Sequence, residues 1–256
     1  MPIALSVNLN KIALIRNSRE GDFPNVESFG LKSIAAGASG LTVHPRPDQR
    51  HIRPNDTRLL ALMVKRLSSQ EKPLEFNIEG NPFAPARDNY PGLIPLALET
   101  MPNQCTLVPD SDSQKTSDHG FDLTKDGAAL APLIAQLKNA GIRVSLFMDP
   151  DLEQIKLAKK IGADRIELYT GPFAAAYEES AEAAQAVFEQ HSAAANLALE
   201  LGLGVNAGHD LNLENMTLYR DLPGLQEVSI GHALTVDALF LGFDTAVAAY
   251  CTICKA

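Results

Sequence analysis

The stretch "TVHPRPDQRHIRPND" at residues 42–56 combines two histidines with several cations, and this combination can carry out chemistry. Imidazole gains and loses a proton near neutral pH, so His44 and His51 are candidates for acid–base catalysis. Guanidinium groups bind phosphate through charge-assisted hydrogen bonds, which makes Arg46 a candidate anion ligand. The alternatives are a histidine that bonds only neighbouring backbone and a solvated run of charges.

Polar residues also follow other short runs of β-forming residues. In a parallel α/β barrel the carboxyl ends of the strands converge on the mouth that carries the active site. Four of the six histidines fall at such positions. The candidates at successive run ends are Asn8, Asn10, His44, Arg46, His51, Asp110, Thr116, Asp149, His209, Gly231 and His232.

Two glutamates lie inside β-rich runs, Glu75 in "PLEFNI" and Glu167 in "RIELYT". A carboxylate among apolar strand residues is buried unless it faces the mouth, and burial without a partner is costly. We therefore predict functional roles for both. His119, in a polar loop, and His191, in a helical segment, are predicted to be exposed.

The elements that would position these residues alternate in type along the chain. Segments such as "DGAALAPLIAQLKNAG" repeat apolar residues every three or four positions, as helices do, and several end at a glycine: Gly141, Gly162 and Gly202. The eight intervening runs predict strands at residues 3–9, 40–44, 74–78, 104–109, 143–148, 165–170, 204–208 and 227–232.

Alternating strands and helices indicate a parallel sheet, and 256 residues over eight units is about 32 residues per unit. This favours a (β/α)8 barrel that occupies residues 1–256 as one domain. A doubly wound open sheet is the alternative. Its nucleotide-binding form has G-x-G-x-x-G after the first strand, and "SVNLNKIALIRNSREG" does not contain that motif.

Composition narrows the classes of function. The formal charge of −9 argues against a surface that binds nucleic acid generally, so a phosphorylated ligand would need a local site. No apolar run reaches the length of a membrane span, the N-terminus has no basic leader pattern, and three cysteines suit a reducing compartment. We expect a cytoplasmic protein. The C-x-x-C spacing of Cys251 and Cys254 is interpreted as a helix end rather than a redox or zinc site.

Glycines follow the last two strands, Gly208 and Gly231, and let a ligand approach the backbone closely. The loops after strands seven and eight of such barrels often bind phosphate together with a helix N-terminus. The residues alone thus predict a barrel enzyme that acts on a small phosphorylated metabolite by acid–base catalysis.

Five segments extend this prediction. "TVHPRPDQRHI", "VSLFMDPDLEQI", "IELYTG", "VNAGHDL" and "SIGHAL", in this order over nearly the whole chain, resemble the pyridoxine 5′-phosphate synthase family. The resemblance implies a (β/α)8 barrel with additional helices, an octamer, and no metal or organic cofactor. It also implies condensation of 3-amino-2-oxopropyl phosphate with 1-deoxy-D-xylulose 5-phosphate, which yields pyridoxine 5′-phosphate and inorganic phosphate.

The resemblance further implies site residues. The catalytic roles would be a first base, a second base, a transition-state stabiliser and a general acid, at His44, Glu75, Glu167 and His209 respectively. Binding of deoxyxylulose phosphate would fall on Asn10, Lys11, Arg46, His51 and Thr116. Binding of the amino ketone phosphate would fall on Asn8, Arg19, the backbone of Asp210, Gly231 and His232.

The chain departs from the resembled pattern at two places. Asn10-Lys11 stands where an Asp-His pair is frequent, and Asp210 stands where a glycine often follows the acid histidine. Asp210 either contacts His209 or caps the backbone near Leu213. The alternative functions are another phosphosugar barrel enzyme, such as a metal-dependent epimerase, and a non-catalytic barrel that binds phosphometabolites.

Overall fold

Eight parallel strands close into a barrel in sequential order, so that β1 pairs with both β2 and β8 in the computed structural model, which describes residues 2–255. The predicted (β/α)8 fold is confirmed. The strands are β1 Ala4–Asn8, β2 Gly40–Val43, β3 Glu75–Gly80, β4 Gln104–Leu107, β5 Arg143–Met148, β6 Arg165–Leu168, β7 Gly204–Ala207 and β8 Leu225–Ile230.

Within residues 2–255 the barrel carries more helices than strands, as predicted from the resemblance. Gly141, Gly162 and Gly202 each follow a helix with φ between 71° and 96°, the left-handed conformation that ends a helix. The helices are α1 Asn10–Asn17, α2 Val26–Ala35, α3 Pro54–Leu67, α4 Leu93–Thr100, α5 Leu123–Asn139, α6 Leu152–Lys160, α7 Gly171–Glu179, α8 Ala181–Glu200, α9 Met216–Tyr219, α10 His232–Leu241 and α11 Phe243–Lys255.

The interior of the barrel is polar. Successive strand residues point to opposite faces, and the apolar ones, such as Leu41 and Phe76, pack outward in the core beneath the helices. Inside the barrel, Gln104 of β4 donates to Glu227 of β8 over 3.4 Å and accepts from Asn206 of β7 over 3.3 Å. Barrels of this class are more often filled by branched apolar side chains.

Charged residues close the barrel at the amino ends of the strands. Glu75 and Arg143, the first residues of β3 and β5, form an ion pair. Glu227 lies 3.2 Å from Arg165 Nη1, and burial raises the pKa of its carboxyl to about 7 although Arg165 opposes the shift. This cluster lies at the end opposite the mouth.

His191 is buried, so the prediction of an exposed side chain is wrong. Its Nδ1 lies 2.7 Å from the hydroxyl of Tyr219, and burial lowers its pKa to about 4. His119 is exposed as predicted. Cys251 and Cys254 are buried free thiols near the end of α11. Among the helices of residues 2–255, none combines the length and the hydrophobicity of a membrane span.

Candidate active site

A cavity of about 340 Å³ lies at the mouth of the barrel, where the carboxyl ends of the strands meet. The structure brings most of the predicted site residues to its wall. Those that line it are Asn8, Asn10, Lys11, His44, Arg46, His51, Thr116, Glu167, His209, Asp210, Gly231 and His232.

Two predicted residues lie elsewhere. Glu75 begins β3, so its side chain lies at the amino end of the barrel in the ion pair with Arg143. Its placement at the mouth is therefore wrong. Arg19 follows α1 with an exposed side chain and is not among the described residues that line the cavity. A single chain does not bring Arg19 to this site.

Glu79 occupies the position on β3 that was predicted for Glu75. Its carboxylate accepts from Asn8 Nδ2 at 3.3 Å and from Ser229 Oγ at 3.4 Å, and lies 4.0 Å from His44 Nδ1. Burial raises the pKa of the Glu79 carboxyl, although positive charge on His44 and His209 opposes the shift. Glu79 is thus a buried carboxyl in contact range of a histidine, which suits proton transfer.

His44 is held from two sides directly after β2. Its backbone N–H donates to Asn10 Oδ1 at 2.8 Å. Its Nε2 lies 3.2 Å from Asp110 Oδ2, and the same oxygen lies 2.5 Å from Arg46 Nη2. Burial opposes ionisation of Asp110, but the charges of His44 and Arg46 outweigh it and lower the pKa of the carboxyl.

Two arginines bind the loop between β4 and α5, residues 108–122, over the mouth. Arg46 Nη1 donates to the carbonyls of Ser111 and Gln114 at 3.1 and 3.2 Å. Arg50 donates to the carbonyls of Gln114 and Asp112, both at 2.8 Å. These arginines therefore position the loop that supplies Thr116 to the cavity.

His51 is a neutral hydrogen-bonding group in this site. Burial, together with the charges of His44 and Arg46, lowers its pKa to about 3. Its Nδ1 accepts the backbone N–H of Ile52 at 2.9 Å, so the ring proton resides on Nε2. A neutral imidazole with a fixed N–H can donate to an anion but does not act as an acid near pH 7.

Glu167 lies on β6 and is almost fully buried at the cavity wall. Burial raises the pKa of its carboxyl well above the usual range, and repulsion from Glu79 and Glu227 raises it further. The raised pKa favours the protonated carboxyl, a form that can donate a hydrogen bond to developing negative charge.

His209 follows β7 and has a partner on each ring nitrogen. Nε2 lies 2.7 Å from Thr116 Oγ1, and Nδ1 lies 2.8 Å from Asp210 Oδ2. The contact with His209 lowers the pKa of the Asp210 carboxyl. The capping interpretation of Asp210 is wrong, because Asn212 Oδ1 accepts the N–H groups of Glu214 and Asn215 instead.

The seventh and eighth loops come close together behind His209. A Cβ at Gly208 would lie 2.1 Å from the carbonyl oxygen of Ser229, so only glycine fits there. Gly231 precedes α10, and the cavity is lined there by Gly231, His232 and Ala233 at the start of that helix. Helix N-termini of this kind bind phosphate.

The fold and the site define a (β/α)8-barrel enzyme with acid–base groups and anion ligands around one mouth cavity. A model of the family described as "Pyridoxal phosphate biosynthesis protein PdxJ" matches residues 5–256. The chain belongs to this family and is an enzyme of vitamin B6 biosynthesis. The predicted family is confirmed.

Relatives of nearly the same length support the assignment. The chain is 52% identical to pyridoxine 5′-phosphate synthase of Xanthomonas axonopodis pv. citri (strain 306) over 257 residues, which cover 100% of this chain and 98% of the relative. It is 49% identical to the synthase of Albidiferax ferrireducens, with 98% of this chain and 96% of the relative covered.

Solved structures of low identity show the fold alone. Thiamine phosphate pyrophosphorylase from Pyrococcus furiosus superposes with a TM-score of 0.60 at 14% identity, covering 99% of this chain and 96% of that one. A mutant tryptophan synthase α-subunit from the same organism gives 0.61 at 13% identity, with 99% and 96% covered.

Proposed function

We propose that this enzyme, as a pyridoxine 5′-phosphate synthase, condenses 3-amino-2-oxopropyl phosphate with 1-deoxy-D-xylulose 5-phosphate and releases inorganic phosphate. The observation that carries the proposal is the shared cavity, in which His44, Glu79 and His209 surround one space lined by phosphate-binding groups. Family membership supports the same reaction.

The reaction needs repeated proton transfers, because an amine joins a ketone, water is lost and an aromatic ring closes. His44 and Glu79 act as the bases, since both are buried and lie within 4.0 Å of each other. His209 acts as the acid that protonates a leaving oxygen. Glu167, whose raised pKa favours the protonated form, donates to the negative charge that develops in the transition state.

Two phosphorylated substrates need separate anion sites. Deoxyxylulose phosphate binds on the side of the cavity that β1, β2 and the β4–α5 loop supply, through Asn10, Lys11, Arg46, His51 and Thr116. The amino ketone phosphate binds near the seventh and eighth loops, through Asn8, the backbone of Asp210, Gly231 and His232. Arg19 and Glu75 have no part in this proposal.

The test is to incubate purified, chelator-treated protein with both substrates and to measure pyridoxine 5′-phosphate and free phosphate. We expect both products in equal amounts. A matched pair of variants controls the site: His209→Asn should abolish turnover, whereas His119→Asn, at an exposed loop position, should not.

Other outcomes separate the alternatives. Binding of both substrates without product would indicate a sensor. Turnover that is lost on chelation and restored by a divalent cation would indicate a metal-dependent barrel enzyme. Within the described part of the chain no group of three or more histidine, cysteine or carboxylate side chains converges as a metal site.

We also propose that the chain forms an octamer. Neighbouring helices α1 and α10 leave apolar side chains in water, among them Leu239 at 76% and Phe240 at 84% exposure. Apolar patches of this kind usually pack against another protein surface. Light scattering should give eight chains per particle, and Phe240→Glu should reduce that number. A monomeric wild-type protein would contradict the proposal.

A cytoplasmic location and a single domain complete the proposal. The three cysteines are all free thiols, which a reducing compartment preserves. Fractionation of cells should place the protein with cytoplasmic markers. One cooperative unfolding transition, seen equally by two probes, is expected of a single domain.

A further inference from the structure

We propose that Asp110 is a positioning residue that holds the imidazole of His44 with its proton on Nε2, so that Nδ1 is the basic nitrogen. The inference deepens the proposed function, because it rests on His44 as a base. Asp110 itself lies behind His44 and Arg46 and is not among the described residues that line the cavity.

Asp110 is fixed at both its backbone and its side chain. It follows β4 and is 5% exposed. Asn81 Nδ2 donates to its carbonyl oxygen at 2.6 Å, which anchors the main chain from the neighbouring β3–α4 loop. Its Oδ2 lies between His44 Nε2 at 3.2 Å and Arg46 Nη2 at 2.5 Å. Neither contact has hydrogen-bond geometry, and Oδ2 is a buried acceptor without a hydrogen-bond partner within residues 2–255, so a hydrogen on His44 Nε2 would satisfy it after a small turn of the ring.

The charge state of Asp110 determines which nitrogen of His44 carries the proton. An ionised carboxylate can only accept, and the adjacent guanidinium of Arg46 favours the ionised form. A neutral His44 ring consequently carries its hydrogen on Nε2 and keeps the lone pair on Nδ1. That lone pair is on the side of Glu79, whose Oε2 is 4.0 Å away.

This arrangement also assists the proton transfer. When Nδ1 takes a proton from substrate, the ring becomes an imidazolium and its positive charge lies next to a buried anion. Carboxylates that contact the far nitrogen of a catalytic histidine fix its tautomer and stabilise the charged ring in this way. Arg46 balances the charge of Asp110 at rest, so the anion is not left alone in a buried position.

The decisive measurement is ¹⁵N NMR of the wild-type enzyme labelled in its histidines, with His44→Gln used to assign the His44 signals. We expect the neutral His44 ring to carry its hydrogen on Nε2. A hydrogen on Nδ1 would overturn the inference, and this result depends on no variant of Asp110.

Kinetics of three variants supply the second test. Asp110→Asn should lower kcat about 100-fold, in the range that general-base catalysis contributes, with a smaller change in KM for either substrate. Asp110→Glu restores a carboxylate and should recover most of kcat. The control is Asp112→Asn in the same loop, whose half-exposed side chain pairs with Arg87 at the surface, and it should turn over normally.

The outcomes separate this inference from the proposed function. If His44→Gln is inactive but Asp110→Asn keeps wild-type kcat, the positioning role is wrong and the proposed function stands. If His44→Gln keeps full activity, the proposed role of His44 fails, whatever tautomer the ring adopts. Failure of Asp110→Glu to recover more activity than Asp110→Asn would also count against positioning by charge.

Discussion

Glutamine in place of Glu79, compared with the same substitution at Glu75, tests the assignment of the second base directly. Both residues lie on β3, four residues apart, so both side chains point into the barrel. At about 3.3 Å per residue they are separated by roughly 13 Å and lie at opposite ends of it. The two variants therefore make one chemical change on one strand at two depths.

The expected losses of kcat in the two variants differ by orders of magnitude. Glu79→Gln keeps the shape of the side chain but cannot take a proton, so kcat should fall by about 10²- to 10⁴-fold. This corresponds to roughly 3 to 5 kcal/mol of transition-state stabilisation. The side chain of Glu75 is 44% exposed. Within residues 2–255, Arg143 is the only cation at ion-pair distance from it. Its loss should leave kcat within about twofold and cost about 1 kcal/mol of stability or less.

Stability should respond to pH at only one of the two positions. Because the folded-state pKa of Glu79 is raised, its contribution to stability is complete below the usual value of 4.5 and is lost as the pH rises through the raised pKa. Glutamine does not titrate. Glu79→Gln should therefore gain stability relative to wild type as the pH is increased from 4.5.

The assay is steady-state formation of pyridoxine 5′-phosphate, with urea unfolding at a series of pH values for the same preparations. Loss of turnover in Glu75→Gln with an unchanged unfolding transition would refute the reasoning. So would full turnover in Glu79→Gln. Either result would contradict the assignment of the second base to Glu79.

Three further predictions concern other residues. Arg46→Ala should raise KM for deoxyxylulose phosphate about 10- to 100-fold, more than it raises KM for the amino ketone phosphate. It should also destabilise the fold by about 3 kcal/mol, because Asp110 loses its cation. Equal effects on the two KM values would contradict the assignment. Asp210→Gly should leave the unfolding free energy unchanged or raise it by about 1 kcal/mol, because Asp210 has a φ of 61°, in the left-handed region that glycine adopts without strain. Its kcat should fall, because His209 loses a partner. A loss of stability measured in urea would argue against this prediction. Burial lowers the pKa of His191 to about 4, so the free energy of unfolding should fall by up to about 3 kcal/mol as the pH decreases from 6.5 to 4. A flatter dependence of stability on pH in His191→Asn would show that this ring is responsible.

The sequence predicts the strands well because the same signals recur along the chain with the β/α units: a β-forming run, polar residues where the run ends, and in several units a glycine that ends the helix. Polar residues at the exits, such as His44 and His209, lie at the mouth because parallel strands all point there. Side chains alternate between the two faces of a strand, however, so Glu75 and Glu79, four residues apart, are predicted to point to the same face. Only the position at which β3 ends distinguishes them, and the run was expected to stop at residue 78, whereas the strand continues to Gly80.

Other features depend on contacts between distant segments. His191 lies on an ordinary helical pattern, and its burial comes from Tyr219 of a later helix, 28 residues away. Asp110 stands at a strand exit, but its relation to His44 requires the two loops to meet. Asp210 contacts His209 rather than capping the backbone, because Asn212 accepts the nearby N–H groups of Glu214 and Asn215.

The polar interior joins early strands of the barrel to late ones. Gln104 of β4 finds its hydrogen-bonding partners on β7 and β8, more than a hundred residues later in the chain. Before those strands are present, the polar side chains of a partial barrel are either buried without hydrogen-bond partners, which costs free energy, or remain in water. Early collapse of the chain therefore gains little free energy at these positions. The first four strands alone thus lack the partners of Gln104. On the ribosome, the native barrel waits for the last strand to emerge.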